Sequence, residues 1–281
     1  MVQRLHAGPD HMTGAAASAP GSRPWQRYTR GQRLARFAAW LAAVAVLVWS
    51  AGTLDIHWPF VLDAPRQAGD LLGRMLPPEW PFFAQVIGPM VETINIATLG
   101  TLLGAALSVP VALMAAQNTT LNAATLWAAR VVVVASRSVN ELVWALLFGV
   151  VFGPGAMAGM VAVGVSSVGF VSKLVAEGIE EVDGGQVEAI AATGASRGQV
   201  LIYAVLPQVL PTIIGVLTFR WDINIRQSSI IGLVGAGGIG ITLNNEMNSF
   251  AWANVTVILI AIFAVVMASE WVSAQLRRRV T

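Results

Sequence analysis

The chain has 281 residues, 56% hydrophobic and only 11% charged, with a formal net charge of +2 and a mean hydropathy of +0.67. A water-soluble domain carries about 25% charged residues, so lipid is the expected solvent for most of this surface. The absence of cysteine excludes a disulfide framework, a thiolate metal site and a cysteine nucleophile.

The three histidines, His6, His11 and His57, form no ligand-spaced cluster, so no metal and no catalytic residue is expected. Arginines gather at the two ends and Lys173 is the single lysine. That is a membrane pattern rather than a groove for nucleic acid.

In chain order, residues 1–35 are rich in Gly, Ala, Ser and Pro and read as a disordered cytoplasmic leader. Its length and the lack of a small-residue cleavage site argue for an anchor rather than a cleaved signal. A crossing helix needs about 20 apolar residues. Charge-poor runs then predict six crossings, near 36–54, 89–115, 131–152, 156–176, 201–221 and 251–272. The third must carry Arg137 and Glu141, which are expected at i and i+4 on one helical face.

Between the first two crossings, residues 55–88 are expected outside, with Leu71, Leu72, Met75 and Leu76 on one side of an interfacial helix. The permease-like core is expected over 89–276, with a cytoplasmic loop at 177–200 and a basic tail at 277–281. Arg4, Arg23, Arg27, Arg30, Arg33 and Arg36 precede the first crossing, and Arg277, Arg278 and Arg279 follow the last. The positive-inside rule places both ends in the cytoplasm, which an even number of crossings permits.

Gly235-Ala236-Gly237-Gly238-Ile239-Gly240 spells a dinucleotide-binding turn. The residue twenty beyond Gly240 is Ile260, inside an apolar crossing, and no βαβ unit surrounds the loop. The ribose-binding carboxylate is therefore missing and the dinucleotide reading fails. Irregular backbone at membrane depth must be buried in protein or line a wet cavity. The loop is thus a tight packing corner or part of a pathway.

The most polar interior stretch runs from Glu177 to Pro211. Within it Glu188–Thr193 reads as a short helix stopped by Gly194, with another beginning near Ser196. Small residues there let a second surface approach closely. Glu188-Ala189, Gly194 and Leu206-Pro207 resemble the E-A-A-x3-G-x9-I-x-L-P signature of the membrane subunits of prokaryotic ATP-binding-cassette (ABC) importers. Ile190 and Ala204 depart from it.

More narrowly, "SRSVNELVWALLF" (Ser136–Phe148), "EAIAATGASRGQVLIYAVLPQVLP" and "FRWDINIRQSSIIGLVGAGGIG" (Phe219–Gly240) look like the phosphonate-transporter permease. The resemblance implies an all-α polytopic membrane protein of about six transmembrane helices with the type I ABC importer (MetI-like) permease fold. It also implies a prokaryotic cell-membrane location and import of phosphonate, phosphite or phosphate. The implied partners are a second copy of the chain, two cytosolic ATPases that hold ATP and Mg, and an extracytoplasmic phosphonate/phosphate-type binding protein. Coupling to the ATPase would fall to Glu188, Ala189, Ala192, Gly194, Ser196 and Arg197. No cofactor is expected in this chain, which has no G-x-x-x-x-G-K-[ST] loop.

A phosphorus oxyanion needs donors and positive charge to cross lipid, most readily arginine. Candidates for the path or its gate are Arg137, Arg220, Asp222, Asn224, Arg226, Gly235, Gly237, Gly238 and Gly240. Asp222 and Arg226 are spaced to pair on a helix, so a structural ion pair remains an alternative. Lys173 and Glu177 are expected at the cytoplasmic rim. The rivals are an importer of another small solute, a secondary transporter and an intramembrane enzyme. A secondary transporter would show paired interrupted helices in both halves, and the glycine break has no counterpart in the first. An enzyme would need a catalytic constellation at depth.

The cysteine-free chain makes orientation measurable. Ser18→Cys and Thr281→Cys, introduced singly, are each expected to escape an impermeant thiol reagent in intact cells. Labelling of one alone would mean an odd number of crossings.

Overall fold

In the computed structural model residues 28–54 and 57–280 are described, and every element among them is helical. The chain divides into two compact units, Met1–Ala64 and Pro65–Thr281. The first contains α1 (Arg30–Thr53), which starts at a reciprocal cap between Thr29 and Gln32. Most of the expected leader lies outside the described residues, but 30–35 already belong to α1. All of α1 is exposed, including Trp40 and Trp49, as suits a surface for lipid. Helix α2 (Trp58–Met75) carries Pro65 at the unit boundary and exposes Leu71 and Leu72. Leu76, expected on the same helix, falls just beyond it.

The second unit begins with a 3₁₀ turn, Trp80–Phe82, that feeds α3 (Phe83–Ala115). Then come α4 (Ala123–Ser138), α5 (Glu141–Phe152), α6 (Ala156–Glu180), α7 (Gly184–Ala192), α8 (Arg197–Val200), α9 (Leu206–Ile231), α10 (Ile239–Asn248) and α11 (Trp252–Val280). Among the described residues five helical stretches are long and apolar enough to cross a membrane, and α4 with α5 makes a sixth if the bent pair counts as one span.

That pair corrects the reading of 131–152 as one straight helix. The two halves meet at 94°. Val139 is extended (φ −94°, ψ 127°), and the Asn140 side chain accepts a hydrogen bond from the Leu142 amide at 2.9 Å, capping a new helix. Arg137 therefore ends one helix while Glu141 starts the next, and they do not share a face. The fifth span is also longer than expected: the continuous helical stretch covers Arg197–Val234. A five-residue π turn at Leu201–Val205 lies within it, just before Pro207, which has no amide to donate to the Tyr203 carbonyl.

Helix α6 lies at the centre, against α3, α4, α5 and α9. Its approach to α3 is set by small residues. A Cβ on Gly100 would stand 2.7 Å from Val163 Cγ1, and one on Gly104 would stand 2.7 Å from Ser167 Cβ. Ser172 Oγ donates across the seam to the Ser108 carbonyl at 3.3 Å. Such packing and polar bonding hold helices together where lipid removes the hydrophobic drive.

The glycine corner follows α9. A 3₁₀ turn, Gly232–Val234, leads to Gly235, Gly237 and Gly238 at φ +87°, +86° and +73°. Gly240 belongs to α10 rather than to the loop. Gly155 donates its amide to the Gly235 carbonyl at 2.8 Å, and the Ile239 amide donates to Thr93 Oγ1 at 2.8 Å. The corner is locked against the start of α6 and against α3.

Two substitutions separate backbone strain from crowding. Gly235 and Gly237 have nearly the same φ, but a Cβ on Gly235 meets only Pro154 Cβ at 3.6 Å, whereas one on Gly237 would lie 2.7 Å from the Ala156 amide nitrogen. Gly235→Ala should cost about 1–2 kcal/mol. Gly237→Ala should cost a further ~1–3 kcal/mol of overpacking. Unfolding in detergent, followed by near-ultraviolet circular dichroism, should rank wild type above the first variant and the first above the second.

Candidate functional site

A charged group within a membrane helix is expensive unless it faces protein or water. Arg220 lies fourteen residues into α9, about 20 Å along its axis, and is buried. Its Nε donates to Ser167 Oγ at 2.9 Å and its Nη2 to Ser166 Oγ at 3.1 Å. The same Nη2 lies 3.9 Å from Glu141 Oε2, at the first turn of α5. The guanidinium carbon stands 5.6 Å from the centre of the Phe170 ring.

One turn on, Asn224 Nδ2 donates to Thr101 Oγ1 at 2.8 Å and to Ser167 Oγ at 3.1 Å. Trp221 Nε1 donates to Thr98 Oγ1 at 3.0 Å. Residues 220, 224, 227 and 231 recur at helical spacing and so share one face of α9.

That face closes a cavity of about 360 Å³. Arg220 and Gln227 enter from α9, Ser166 and Phe170 from α6, Ser136 and Arg137 from α4, and Asn140, Glu141 and Leu142 from the α4–α5 corner. The bend at Asn140 turns Glu141 and Arg137 to the same space from different helices. Arg137 is brought in by a close crossing: a Cβ on Gly169 would stand 2.6 Å from the Val133 carbonyl and 2.7 Å from Arg137 Cγ. Ser136 Oγ donates to the Val165 carbonyl at 2.7 Å and accepts from the Gly169 amide at 3.2 Å. Arg137 makes no hydrogen bond or ion pair among the described residues.

A second cavity, of about 570 Å³, shares Arg137 and adds Arg130, Ser138, Lys173, Glu177 and Glu180 over an apolar wall. Lys173 and Glu177 pair at 3.5 Å in an exposed setting. Glu180 accepts from the Gln117 amide at 2.8 Å. Two arginines thus line the first cavity and two arginines and a lysine the second, and Arg137 belongs to both linings.

The other candidates lie elsewhere. Asp222 and Arg226 pair at 3.4 Å as their spacing predicts, but on another face of α9, where Ser269 of α11 donates to Asp222 Oδ1 at 2.8 Å. They line neither cavity, and nor do Gly235, Gly237, Gly238 and Gly240. Ser136, Ser166, Ser167, Thr101 and Gln227 were missed from sequence. Their only signal is hydroxyl and amide groups set within apolar runs.

The elbow is a separate surface. Glu188, Ala189, Ala192, Gly194, Ser196 and Arg197 are all exposed. Val187 packs α7 onto the core cluster around Val205 and Val209, and the Asp183 amide donates to Gln208 Oε1 at 2.9 Å, tying the elbow to α9. Gly194, at φ +81°, donates to the Ala191 carbonyl and ends α7, and Ser196 with Gln199 caps α8.

Residues 108–281 match the family described as binding-protein-dependent transport system inner membrane component. A phosphite transport system permease protein of Stutzerimonas stutzeri is 37% identical over 247 residues, covering 88% of this chain and 89% of that protein. A phosphate-import permease protein of Mycolicibacterium smegmatis is 36% identical over 207 residues, covering 73% of this chain and 39% of that protein. Among solved structures, the inward-facing MetNI methionine ABC transporter matches 72% of this chain and 98% of its own, with TM-score 0.62 and 22% identity. A bacterial ABC transporter for import of the acidic polysaccharide alginate matches 89% and 99%, with TM-score 0.59 and 16% identity.

Proposed function

The chain belongs to the binding-protein-dependent transport system inner membrane components, and from that premise we propose that its cargo is phosphonate, phosphite or phosphate and that the two cavities sharing Arg137 carry it. The chain is the permease subunit of an ABC importer in the inner membrane, working with a separate ATPase subunit and a substrate-binding protein. The observation that carries the cargo reading is Arg137, unpaired and shared by both cavities, opposite the fixed Arg220. An unpaired guanidinium lining a cavity is a ready donor for an anion. A volume near 360 Å³ sits at the small end of ligand sites. The names of the relatives supply the same chemistry.

In this reading Arg220, held by two serines, is a fixed donor, and Arg137 can follow the anion from the first cavity into the second. Asn224 steadies the serine shared with Arg220. The Asp222–Arg226 pair and the glycine corner at Gly235, Gly237, Gly238 and Gly240 brace α9 against α11, α3 and α6, so that Arg220 keeps its aim. The elbow at Glu188, Ala189, Ala192, Gly194, Ser196 and Arg197 docks the ATPase. Two copies of the chain, two ATPases with ATP and Mg, and a phosphonate/phosphate-type binding protein complete the importer, with both termini cytoplasmic. ATP-driven closure then shifts the population towards the outward-facing state.

The cavity is tested by Arg137→Gln in proteoliposomes with all partner subunits. Loss of one charge-assisted contact of about 1.5–3 kcal/mol should lower uptake of labelled phosphonate, phosphite or phosphate by roughly 10-fold or more, with the complex still assembled. Wild-type uptake of all three would take the cavity off the path.

Gly194→Val tests the elbow. A Cβ there meets nothing within 4 Å, but φ is +81°, so the turn must re-form at a cost of about 1–2 kcal/mol. The variant should keep its membrane fold, and uptake per ATP hydrolysed should fall. Normal uptake with the ATPase bound would remove the elbow from coupling.

A further inference from the structure

The first cavity holds acceptors as well as donors. Glu141 is buried, and only its Oε2 approaches Arg220, at 3.9 Å. Its Oε1 is buried with no hydrogen-bond partner, and so is Gln227 Oε1 on the opposite wall. A buried acceptor without a donor is costly. Both residues line the same cavity as Arg137, Arg220 and Ser166. A site for a fully deprotonated tetrahedral anion would face it with donors alone, because a carboxylate oxygen repels an anionic oxygen. A counter-ion for Arg220 would need only the oxygen already turned to it.

Resting on the anion-site reading above, we propose that Glu141 is a specificity-determining residue: its carboxylate lines the cavity and turns the unpartnered Oε1 to accept a hydrogen bond from a hydroxyl of the bound oxyanion, while Arg137 and Arg220 donate to the other oxygens. The site then takes tetrahedral oxyanions that keep a proton, with a P–OH group, and rejects those of similar size and shape that have none, such as sulfate. A site built to bond a hydroxyl discriminates strongly against an analogue lacking it, because its own buried group is left unpaired. Gln227 Oε1 offers a second acceptor for a second hydroxyl.

The test uses the permease with its ATPase subunit in lipid nanodiscs, leaving out the binding protein so that its own selectivity does not enter. Bound ³²P-phosphate is measured by equilibrium dialysis and displaced by unlabelled phosphate or sulfate. Wild type should prefer phosphate by about 10-fold or more, and Glu141→Gln, whose amide can donate, should narrow the ratio mainly by gaining sulfate affinity. Glu141→Asp, which keeps the charge but withdraws the oxygen, should weaken phosphate and leave sulfate unchanged, and it serves if the glutamine variant does not assemble. Equal binding of the two anions by wild type, or a preference that neither variant alters, overturns the role of Glu141 while the anion site stands. Failure of wild type to bind either anion removes the site itself.

Discussion

The arrangement depends on how closely α3 and α6 approach. In lipid two apolar helices gain nothing by hiding from the solvent, so contact must come from shape and from polar bonds. Gly100 and Gly104 on α3 receive Val163 and Ser167 of α6, and Gly164 of α6 accepts Leu103 in return. With α6 fixed there, Ser167 stands within reach of Arg220 and Asn224 together. Gly169, on the same helix, leaves room for α4 to deliver Arg137. The cationic cavity is thus a second effect of the seam. A side chain at Gly104 would move the serine that holds the arginine.

The spans were readable because hydrocarbon thickness imposes a length on any apolar run, and the six predicted crossings fall on α1, α3, the α4–α5 pair, α6, α9 and α11. Their internal breaks were not. The polar cluster in "SRSVNELV" reads equally as a charged face of one helix or as a right-angled turn, because asparagine caps a helix only when its own backbone is extended. Hydropathy does not report that choice. Arg220 falls at the edge of the predicted crossing 201–221, yet the helix does not end there: α9 runs on to Ile231 with Arg220 in its interior.

Charge drew attention to particular side chains but did not show which of them share a space. Arg220 and Arg226 are six residues apart on one helix and face different neighbours, while Arg137 and Arg220, far apart in sequence, share one space. The serines were invisible for a further reason. Their hydroxyls can bond carbonyls in their own helix turn, as Ser167 does with Val163 at 2.6 Å, so serine in an apolar run is unremarkable until its partner is seen. The glycine corner shares only a spelling with a nucleotide turn: three of its four glycines take positive φ, the freedom a phosphate-binding turn also requires, but here Gly237 and Gly238 pack tightly against Ala156 and Thr93.

The uninterrupted helical stretch from Arg197 to Val234 makes a lever. From Arg197 to Arg220 is about 35 Å at the usual helical rise. Pivoted near the π turn, about 25 Å from Arg220, a tilt of five degrees or so would carry the guanidinium by about 2 Å. That distance is comparable with the hydrogen bonds to Ser166 and Ser167. One continuous helical stretch thus connects the exposed elbow to the buried arginine, and the arginine's grip on the serines is sensitive to the angle at which that stretch lies.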